Sequence, residues 1–277
     1  MTIDNENQLL QWKPPVSPSE IIGDGILFPG TTMMLFGAAG AWKTINTLHL
    51  VYCIASGKPW FGFETSPATV LSHQVELPKF LFRERFIKYK YGNQMTSPNI
   101  FFLTPSDDVL LDTTFGLGEL AKTIEEVQRR AHNPQLPLVI ALDPLMLYMS
   151  GHISDEYDVK KFQRNVNSLR RQYNITIIIV HHARLMRTDS AGGVIDLGAE
   201  EIMGSSYWNN WLDTIVRLKV TNPFHGSDTI HFDFGKTRNA QRFLPGFTVR
   251  WKRDTLVPEL LSKDLMDEEE PTIRGLI

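Results

Sequence analysis

The chain has 277 residues, 42% of them hydrophobic, and a formal net charge of −3 at pH 7. This size and composition predict one large folded domain with short appendages, and they exclude a chain that is disordered throughout. The weak negative charge excludes a protein that binds nucleic acid through a positive field over its whole surface. Any contact with nucleic acid must therefore be local, for example in a channel that several subunits build.

Cysteine usage and hydropathy narrow the class of protein further. Cys53 is the single cysteine, so the sequence holds neither a disulfide framework nor a cysteine-based zinc site. We find no signal-peptide pattern and no apolar run long enough to cross a membrane, which predicts a cytoplasmic protein.

Residues 1–19 are polar and carry three prolines, which predicts a flexible N-terminal arm. An apolar run, Met33–Phe36, then precedes a glycine-rich turn, and residues 45–55 form an apolar segment that suits a helix. The turn consists of Gly37, Ala38, Ala39, Gly40, Ala41, Trp42, Lys43 and Thr44.

This order of strand, turn, Lys-Thr and helix is typical of a phosphate-binding loop. Backbone N–H groups of such a loop point at the phosphates of a nucleotide, Lys43 reaches the outer phosphates, and the Thr44 hydroxyl ligates Mg²⁺. Trp42 stands where the pattern G-x-x-x-x-G-K-[ST] has its second glycine, so it must take an ordinary conformation or carry strain. The alternative is an ordinary strand-to-helix turn with an exposed Lys43.

A second strand is predicted over residues 68–74, and Glu76 lies just past its end. A carboxylate beside the γ-phosphate can orient and deprotonate the attacking water. The alternative is a glutamate that the dipole of the next helix favours.

That next helix, predicted over residues 79–91, mixes aromatic and basic residues. Such a mixture is found in surfaces that bind single-stranded nucleic acid. We favour the simpler interpretation of an amphipathic helix, with its aromatics in the core and its lysines in water.

Two buried strands are predicted to end in polar residues. Residues 138–142 are continuously apolar, as in the centre of a parallel sheet, and they end at Asp143. In a phosphate-loop protein an aspartate at this point holds the Mg²⁺ shell, whereas the alternative is a turn-capping aspartate before Pro144.

The second of these strands, residues 175–180, ends at His181 and His182. Ligands of open α/β sheets bind at the carboxyl ends of the strands, so a neutral histidine there can sense a γ-phosphate. Adjacent side chains of a strand point to opposite faces, which argues against a zinc pair and leaves one of the two as structural.

The last third of the chain predicts an irregular loop over residues 183–204, a strand over 214–219 and a hairpin of 229–234 with 246–251. Lys236 and Arg238 follow the first hairpin strand and share one side of an extended segment. They either reach the γ-phosphate of a neighbouring subunit or form an ordinary solvated hairpin end.

The alternation of strands and helices predicts an α/β fold, with a parallel core sheet flanked by helices and antiparallel strands at its C-terminal edge. We place the folded domain at residues 20–252 and an acidic C-terminal tail at residues 253–277.

In their order along the chain, these motifs resemble the RecA-type ATPase superfamily. The likeness is to the RepA-like and DnaB-like hexameric group of plasmids and phages, and it rests on the loop Gly37–Thr44, Glu76, Asp143, His181-His182 and Lys236-x-Arg238. It implies a RecA-like ATPase domain with ATP and Mg²⁺ as cofactors, in the cytoplasm of a bacterial host cell.

The resemblance also implies roles for the residues. Lys43 and Thr44 bind the phosphates and Mg²⁺, Asp143 supports the metal, and Glu76 is the catalytic base. One of His181 and His182 senses the γ-phosphate. Lys236 and Arg238 act in trans on the adjacent subunit of a homo-oligomeric ring, expected to be a hexamer.

Single-stranded DNA is expected in the central channel of such a ring, against the loops at residues 150–157 and 183–204. The second loop is not basic, because Arg184 and Arg187 stand against four carboxylates. These two arginines are the candidate DNA contacts, and the charge balance predicts weak or conditional binding.

We therefore expect an oligomeric Mg-ATP-hydrolysing motor, a hexameric DNA helicase or translocase in the replication or recombination of a phage or plasmid. One alternative is an ATP-gated assembly or regulatory protein that does not translocate DNA, which the acidic balance and Trp42 favour. The other is a recombination mediator that forms filaments on single strands.

Overall fold

The fold is built on a long mixed sheet. The structure is a computed structural model that describes residues 3–13, 20–103, 109–184, 187–188, 194–195, 198–221 and 228–264. The strands in chain order are β1 (Thr32–Gly37), β2 (Thr69–Gln74), β3 (Ile100–Leu103), β4 (Leu138–Asp143), β5 (Ile175–His182), β6 (Arg187–Thr188), β7 (Val194–Ile195), β8 (Thr214–Val220), β9 (Thr229–Thr237), β10 (Phe247–Trp251) and β11 (Pro258–Lys263). The helices are α1 (Glu6–Gln11), α2 (Lys43–Ser56), α3 (Lys79–Asn93), α4 (Thr114–Arg130), α5 (Glu156–Tyr173) and α6 (Tyr207–Trp211), with short 3-10 helices at Leu145–Tyr148 and Gly198–Glu201.

Nine of these strands form one sheet in the order β11-β10-β9-β8-β1-β5-β4-β2-β3. The strands from β8 to β3 pair in parallel. Strands β9, β10 and β11 are antiparallel and form one edge. The predicted α/β fold, with a parallel core and antiparallel strands at the C-terminal edge, is confirmed.

The central strands are apolar along their whole length because both faces of the sheet are covered. Ile177 and Ile179 of β5 pack in one core with α4 and α5, whereas Ile178 packs in the other core with α2. The alternating side chains of one strand thus serve two hydrophobic cores, and burial on both sides fixes the register of the sheet.

The topology brings the carboxyl ends of the parallel strands together at one end of the sheet. Gly37, the last residue of β1, lies opposite His182, the last residue of β5. Gln74 lies opposite Asp143 at the ends of β2 and β4, and β4 neighbours β5. The residues singled out after these strands are therefore brought to one place, as expected for an open α/β sheet.

The sheet extends past the predicted domain boundary at residue 252. Strand β11 pairs with β10 and adds an outer strand, so only the part of the acidic tail beyond residue 264 lies outside the described residues. In the predicted N-terminal arm, residues 6–11 form α1, whose Leu9 and Leu10 are exposed, while residues 14–19 lie outside the description.

The prediction that the aromatics of α3 enter the core is wrong for two of them. Phe82 and Tyr89 are buried, but Phe80 is 64% exposed and Tyr91 is 78% exposed. Helical spacing explains the split, because residues 82 and 89 lie on one side of the helix and residues 80 and 91 on the other.

Over the parts of the chain that the structure covers, every helix is too short or too polar to cross a membrane.

Three buried histidines make the stability of the fold depend on pH. Burial lowers the pKa of His49, His73 and His181 to about 4, from an ordinary value of 6.5. Between these values the unfolded chain binds more protons than the folded chain, so the free energy of unfolding falls as the pH falls through this window. We expect each histidine to contribute a loss of about 1–2 kcal/mol between pH 7 and pH 5, measured by urea denaturation.

A His49→Gln variant isolates one of these groups, because glutamine stays uncharged at both pH values. Its stability should vary less between pH 7 and pH 5 than that of the wild type. The same variation in both proteins would contradict the assignment to His49.

Candidate nucleotide-binding site

The turn after β1 folds its lysine back over its own backbone. The ammonium group of Lys43 donates to the carbonyl oxygens of Gly37 at 3.0 Å and Ala38 at 2.9 Å, and the residue is only 9% exposed. Gly40 takes a left-handed φ of +79°, and the amide of Ala41 donates to Ala38 at 3.2 Å. The alternative of an exposed lysine on an ordinary turn does not fit this burial.

Trp42 adopts the conformation that glycine favours at this position. Its φ is 55° and its ψ is 28°, in the left-handed region that costs an ordinary residue about 1–2 kcal/mol. Its ring stacks on Trp251 of β10, with centroids 6.5 Å apart and planes 13° apart.

Asn46 of α2 joins these two tryptophans. Its side-chain amide donates to the Trp42 carbonyl oxygen at 3.0 Å, and its carbonyl oxygen accepts from the Trp251 indole at 3.1 Å. The antiparallel edge of the sheet therefore holds the loop in the strained conformation that Trp42 requires.

Thr44 and Asp143 form the polar floor of the site. The Thr44 hydroxyl donates to the carboxylate of Asp143, which is 5% exposed. Burial raises the pKa of Asp143 to about 6, and the hydrogen bond from Thr44 and the charge of Lys43 act in the opposite direction. Burial also lowers the pKa of Lys43, against the attraction of Asp143 and Glu76.

A pocket of about 550 Å³ opens above this floor. Eight of the residues predicted for the site line it, namely Ala39, Gly40, Trp42, Lys43, Thr44, Glu76, Asp143 and His182. Gly37 and Ala38 contribute through the carbonyl oxygens that hold Lys43, and Ala41 is buried beneath the loop.

His181 and His182 lie on opposite faces of the sheet, as the alternation of side chains along a strand predicts. His182 lines the pocket, where burial and the charge of Lys43 lower its pKa. His181 is fully buried on the other face of the sheet, with Nε2 2.7 Å from the Met203 carbonyl oxygen and its ring against Trp208. His181 therefore lies outside the pocket. Its position suits the structural role that the sequence analysis left for one of the two histidines.

Lys236 and Arg238 lie at the end of the sheet opposite the carboxyl ends of the parallel strands. Strand β9 runs antiparallel to β8, which brings Lys236 opposite Ile215 at the start of that strand. Lys236 donates to the Asn209 carbonyl oxygen at 2.7 Å, and Arg238 donates to Asp213 at 2.9 Å. Neither side chain lines the pocket of its own chain.

Of the candidate DNA contacts, Arg184 is not among the residues that line the pocket. Arg184 is exposed and its guanidinium donates to the Gly204 carbonyl oxygen. The backbone of Arg187 belongs to β6, which pairs with β7, and its side chain lies outside the description.

The two loops that follow β4 and β5 meet at Ile153. Its carbonyl oxygen accepts from the Ser205 amide at 3.0 Å and from the Trp208 indole at 3.0 Å. A Cβ on Gly204, which has a φ of +107°, would lie 2.4 Å from the same oxygen. The segment at residues 150–157 and the end of the segment at 183–204 are thus packed backbone to backbone.

Sequence reasoning missed several residues of the pocket. Gln74 is 2% exposed, and both polar atoms of its amide lack a hydrogen-bond partner among the described residues. Arg85 and Lys88 of α3 line the pocket, although the lysines of this helix were expected to lie in water. Arg85 and Lys88 are three residues apart on the helix that follows Glu76, a spacing that could have placed both on the pocket side. No sequence pattern pointed to Gln74 or to Leu256 of the tail.

A family profile decides the class of protein. The profile of the AAA_25 family, described as an AAA domain, matches residues 4–186, more than half of the chain. The chain belongs to this family. No curated protein sequence matches it.

Solved structures share its fold at low sequence identity. One is a DnaB-like replicative helicase described with its interactions with primase, at 12% identity and a TM-score of 0.61 over 82% of this chain. This chain spans only 58% of the length of that helicase.

Two further structures are similar over most of their own length. The ATPase domain of G40P has 11% identity and a TM-score of 0.59, over 84% of this chain and 86% of that domain. The KaiC-like protein PH0186 of Pyrococcus horikoshii OT3 has 14% identity and a TM-score of 0.53, over 90% of this chain and all of that one. The family and the fold together make the chain a RecA-type P-loop ATPase, and the predicted likeness to the DnaB-like group is confirmed at the level of the fold.

The left-handed backbone at Trp42 gives a test of the loop geometry. Trp42→Gly and Trp42→Ala both remove the stack on Trp251, but only alanine keeps the cost of a Cβ at a positive φ. We therefore expect the glycine variant to be more stable than the alanine variant by about 1 kcal/mol, measured by urea denaturation. Equal stability of the two variants would argue against a left-handed residue 42.

Proposed function

We propose that the protein is an oligomeric motor that hydrolyses Mg-ATP and moves along single-stranded DNA, as a hexameric helicase or translocase in the replication or recombination of a phage or plasmid. The observation that carries the proposal is the pocket that unites a buried Lys43, the Thr44–Asp143 pair, Glu76 and His182. The likeness in fold to a DnaB-like replicative helicase supports the choice of DNA as the partner.

Oxygen donors of the kind that Mg²⁺ prefers lie on the floor of the pocket. Thr44 would contribute its hydroxyl and Asp143 its carboxylate, and the unpartnered amide of Gln74 lies beside them on the neighbouring strand. When bound, the metal would neutralise negative charge on the phosphates.

The remaining side chains suit binding and proton transfer. Lys43 offers a positive charge to the outer phosphates, and Arg85 and Lys88 add two more at the rim. Glu76 is exposed to the pocket, where a carboxylate can take a proton from an attacking water. His182, whose pKa is lowered, is neutral at pH 7 and can donate one hydrogen bond to a γ-phosphate.

Lys236 and Arg238 act in trans in this proposal. They lie at the opposite end of the strands from the pocket of their own chain, where they suit a contact with a neighbouring copy. Arg238 donates hydrogen bonds to Asp213 and to the Asn210 carbonyl oxygen. These two contacts hold its guanidinium in one position. In a closed ring each site would then be completed by the next subunit.

DNA would pass the loops at residues 150–157 and 183–204, with Arg184 and Arg187 as contacts. The charge balance of the second loop also supports a second candidate, an ATP-gated assembly or regulatory protein that does not translocate DNA. That candidate is favoured by the four carboxylates at residues 189, 196, 200 and 201, since DNA affinity grows with the number of phosphates neutralised.

Steady-state ATP hydrolysis with and without single-stranded DNA separates the two candidates. A motor should be stimulated several-fold by DNA at low salt, and the stimulation should fade as salt rises because counterions compete for the phosphates. A basal rate that DNA leaves unchanged would support the assembly protein.

Two variants serve as controls for this measurement. Lys43→Ala should abolish nucleotide binding, because it removes the charge that faces the phosphates. Glu76→Gln should bind nucleotide normally but lose hydrolysis, and full turnover by it would remove Glu76 as the base.

Mixed oligomers test the shared site. Arg238→Ala and Glu76→Gln should each be inactive alone, but mixing them should restore part of the ATPase activity. An intact site then forms wherever Glu76 of one protomer meets Arg238 of the other. Activity that stays absent at every mixing ratio, in oligomers shown to exchange subunits, would count against action in trans.

A further inference from the structure

Helix α3 carries an exposed face that the nucleotide pocket does not use. Phe80 and Tyr91 are 64% and 78% exposed, and the half-buried Ile87 lies between them. With 3.6 residues per turn these three side chains lie on one side of the helix, opposite the buried Phe82 and Tyr89. Large rings held in water on a well-formed helix call for a contact outside this chain.

Basic side chains border this stripe. Lys79, Arg83 and Lys90 are exposed along one side of it, and within the described chain neither Arg83 nor Lys90 forms a hydrogen bond through its side chain or an ion pair. The helix has five cations and one carboxylate, Glu84, whereas the whole chain has a net charge of −3. The helix therefore has a net charge of +4, and three of its five cations border the exposed rings.

We propose that this α3 face (Phe80, Arg83, Ile87, Lys90 and Tyr91) binds single-stranded nucleic acid. Exposed rings offer flat faces on which bases stack, and free cations neutralise phosphates between them. The helix rise separates Phe80 from Tyr91 by about 16 Å, so one strand laid along the helix meets both rings. An acidic protein surface would match the cations but would leave the two rings without a role.

The α3 face is distinct from the loops to which the proposed function assigns DNA. Arg85 and Lys88, on the other border of the same helix, line the nucleotide pocket. One helix thus carries nucleotide-facing cations on one side and strand-binding groups on the other. Binding at the α3 face rests on the proposed function only for the kind of polymer, and it needs no ATP hydrolysis.

The test is the affinity of the full chain for a fluorescein-labelled 20-nucleotide oligothymidylate, measured by anisotropy over a salt series without nucleotide. Arg83→Ala/Lys90→Ala should weaken binding and reduce the slope of log K against log salt by about 1.4, at about 0.7 for each phosphate contact. The matched control is Lys122→Ala/Arg129→Ala on α4, which removes two exposed cations and should leave the affinity and the slope unchanged.

The rings are tested separately from the charges. Phe80→Ala/Tyr91→Ala should bind about fivefold more weakly or worse, with the salt slope of the wild type, because stacking is lost while the phosphate contacts remain. Lys43→Ala should bind the oligonucleotide as the wild type does, so a failure of ATP binding or hydrolysis does not affect this result.

Three outcomes would overturn the proposal. The first is a wild type that does not bind the oligonucleotide at low salt. The second is an equal loss of affinity in the α3 and α4 charge variants. The third is unchanged affinity in the α3 variants, and a change of their sedimentation coefficient would then assign the face to a contact between copies of the chain.

Discussion

The burial of one positive charge, that of Lys43, governs the arrangement of the site. A buried ammonium group is unfavourable by several kcal/mol unless hydrogen bonds and opposite charges compensate for its lost hydration. Two carbonyl oxygens of the loop and the carboxylates of Asp143 and Glu76 supply that compensation. The same balance raises the pKa of Asp143, since its own burial outweighs the attraction of the lysine. A phosphate group entering the pocket would meet a lysine that is already oriented and already partly stripped of water.

The loop that positions this lysine depends on distant parts of the chain. Trp42 takes a left-handed conformation, and its ring rests on Trp251 of β10, more than 200 residues away in sequence. Asn46 connects the two through hydrogen bonds of both polar atoms of its side-chain amide. In a loop with glycine at this position the backbone needs no such support. Here the antiparallel strands at the sheet edge support the nucleotide site from outside its lining, to which the turn between β10 and β11 adds Leu256.

The sequence predicted those parts of the fold and of the site that local patterns determine. Continuous apolar runs identified β4 and β5, because a strand that is covered on both faces is apolar on both sides. Asp143 and His182 were found because they end such runs, and the ends of parallel strands meet at one edge.

Other features depend on contacts between elements, and the sequence did not reveal them. The choice between His181 and His182 follows from which face of β5 is turned towards α2. Gln74 is an ordinary strand residue until Asp143 is placed opposite it. The exposure of Phe80 and Tyr91 was missed because an amphipathic interpretation assumes that aromatic residues define the buried side. The roles of Glu76, Lys236 and Arg238 stay predictions.

The contacts of Ile153 join the loop after β4 to the residues that lead into α6. Its carbonyl oxygen is shared by the Ser205 amide and the Trp208 indole, and Gly204 leaves no room for a side chain between the backbones. On the far side, the Met203 carbonyl oxygen lies 2.7 Å from Nε2 of His181, next to the histidine that lines the pocket. Hydrogen bonds at Met203 and Ile153 therefore connect the end of β5 to the loop that follows β4. A related chain with a larger residue at the position of Gly204 would need a wider gap between the two backbones, which would lengthen or break the hydrogen bonds to Ile153.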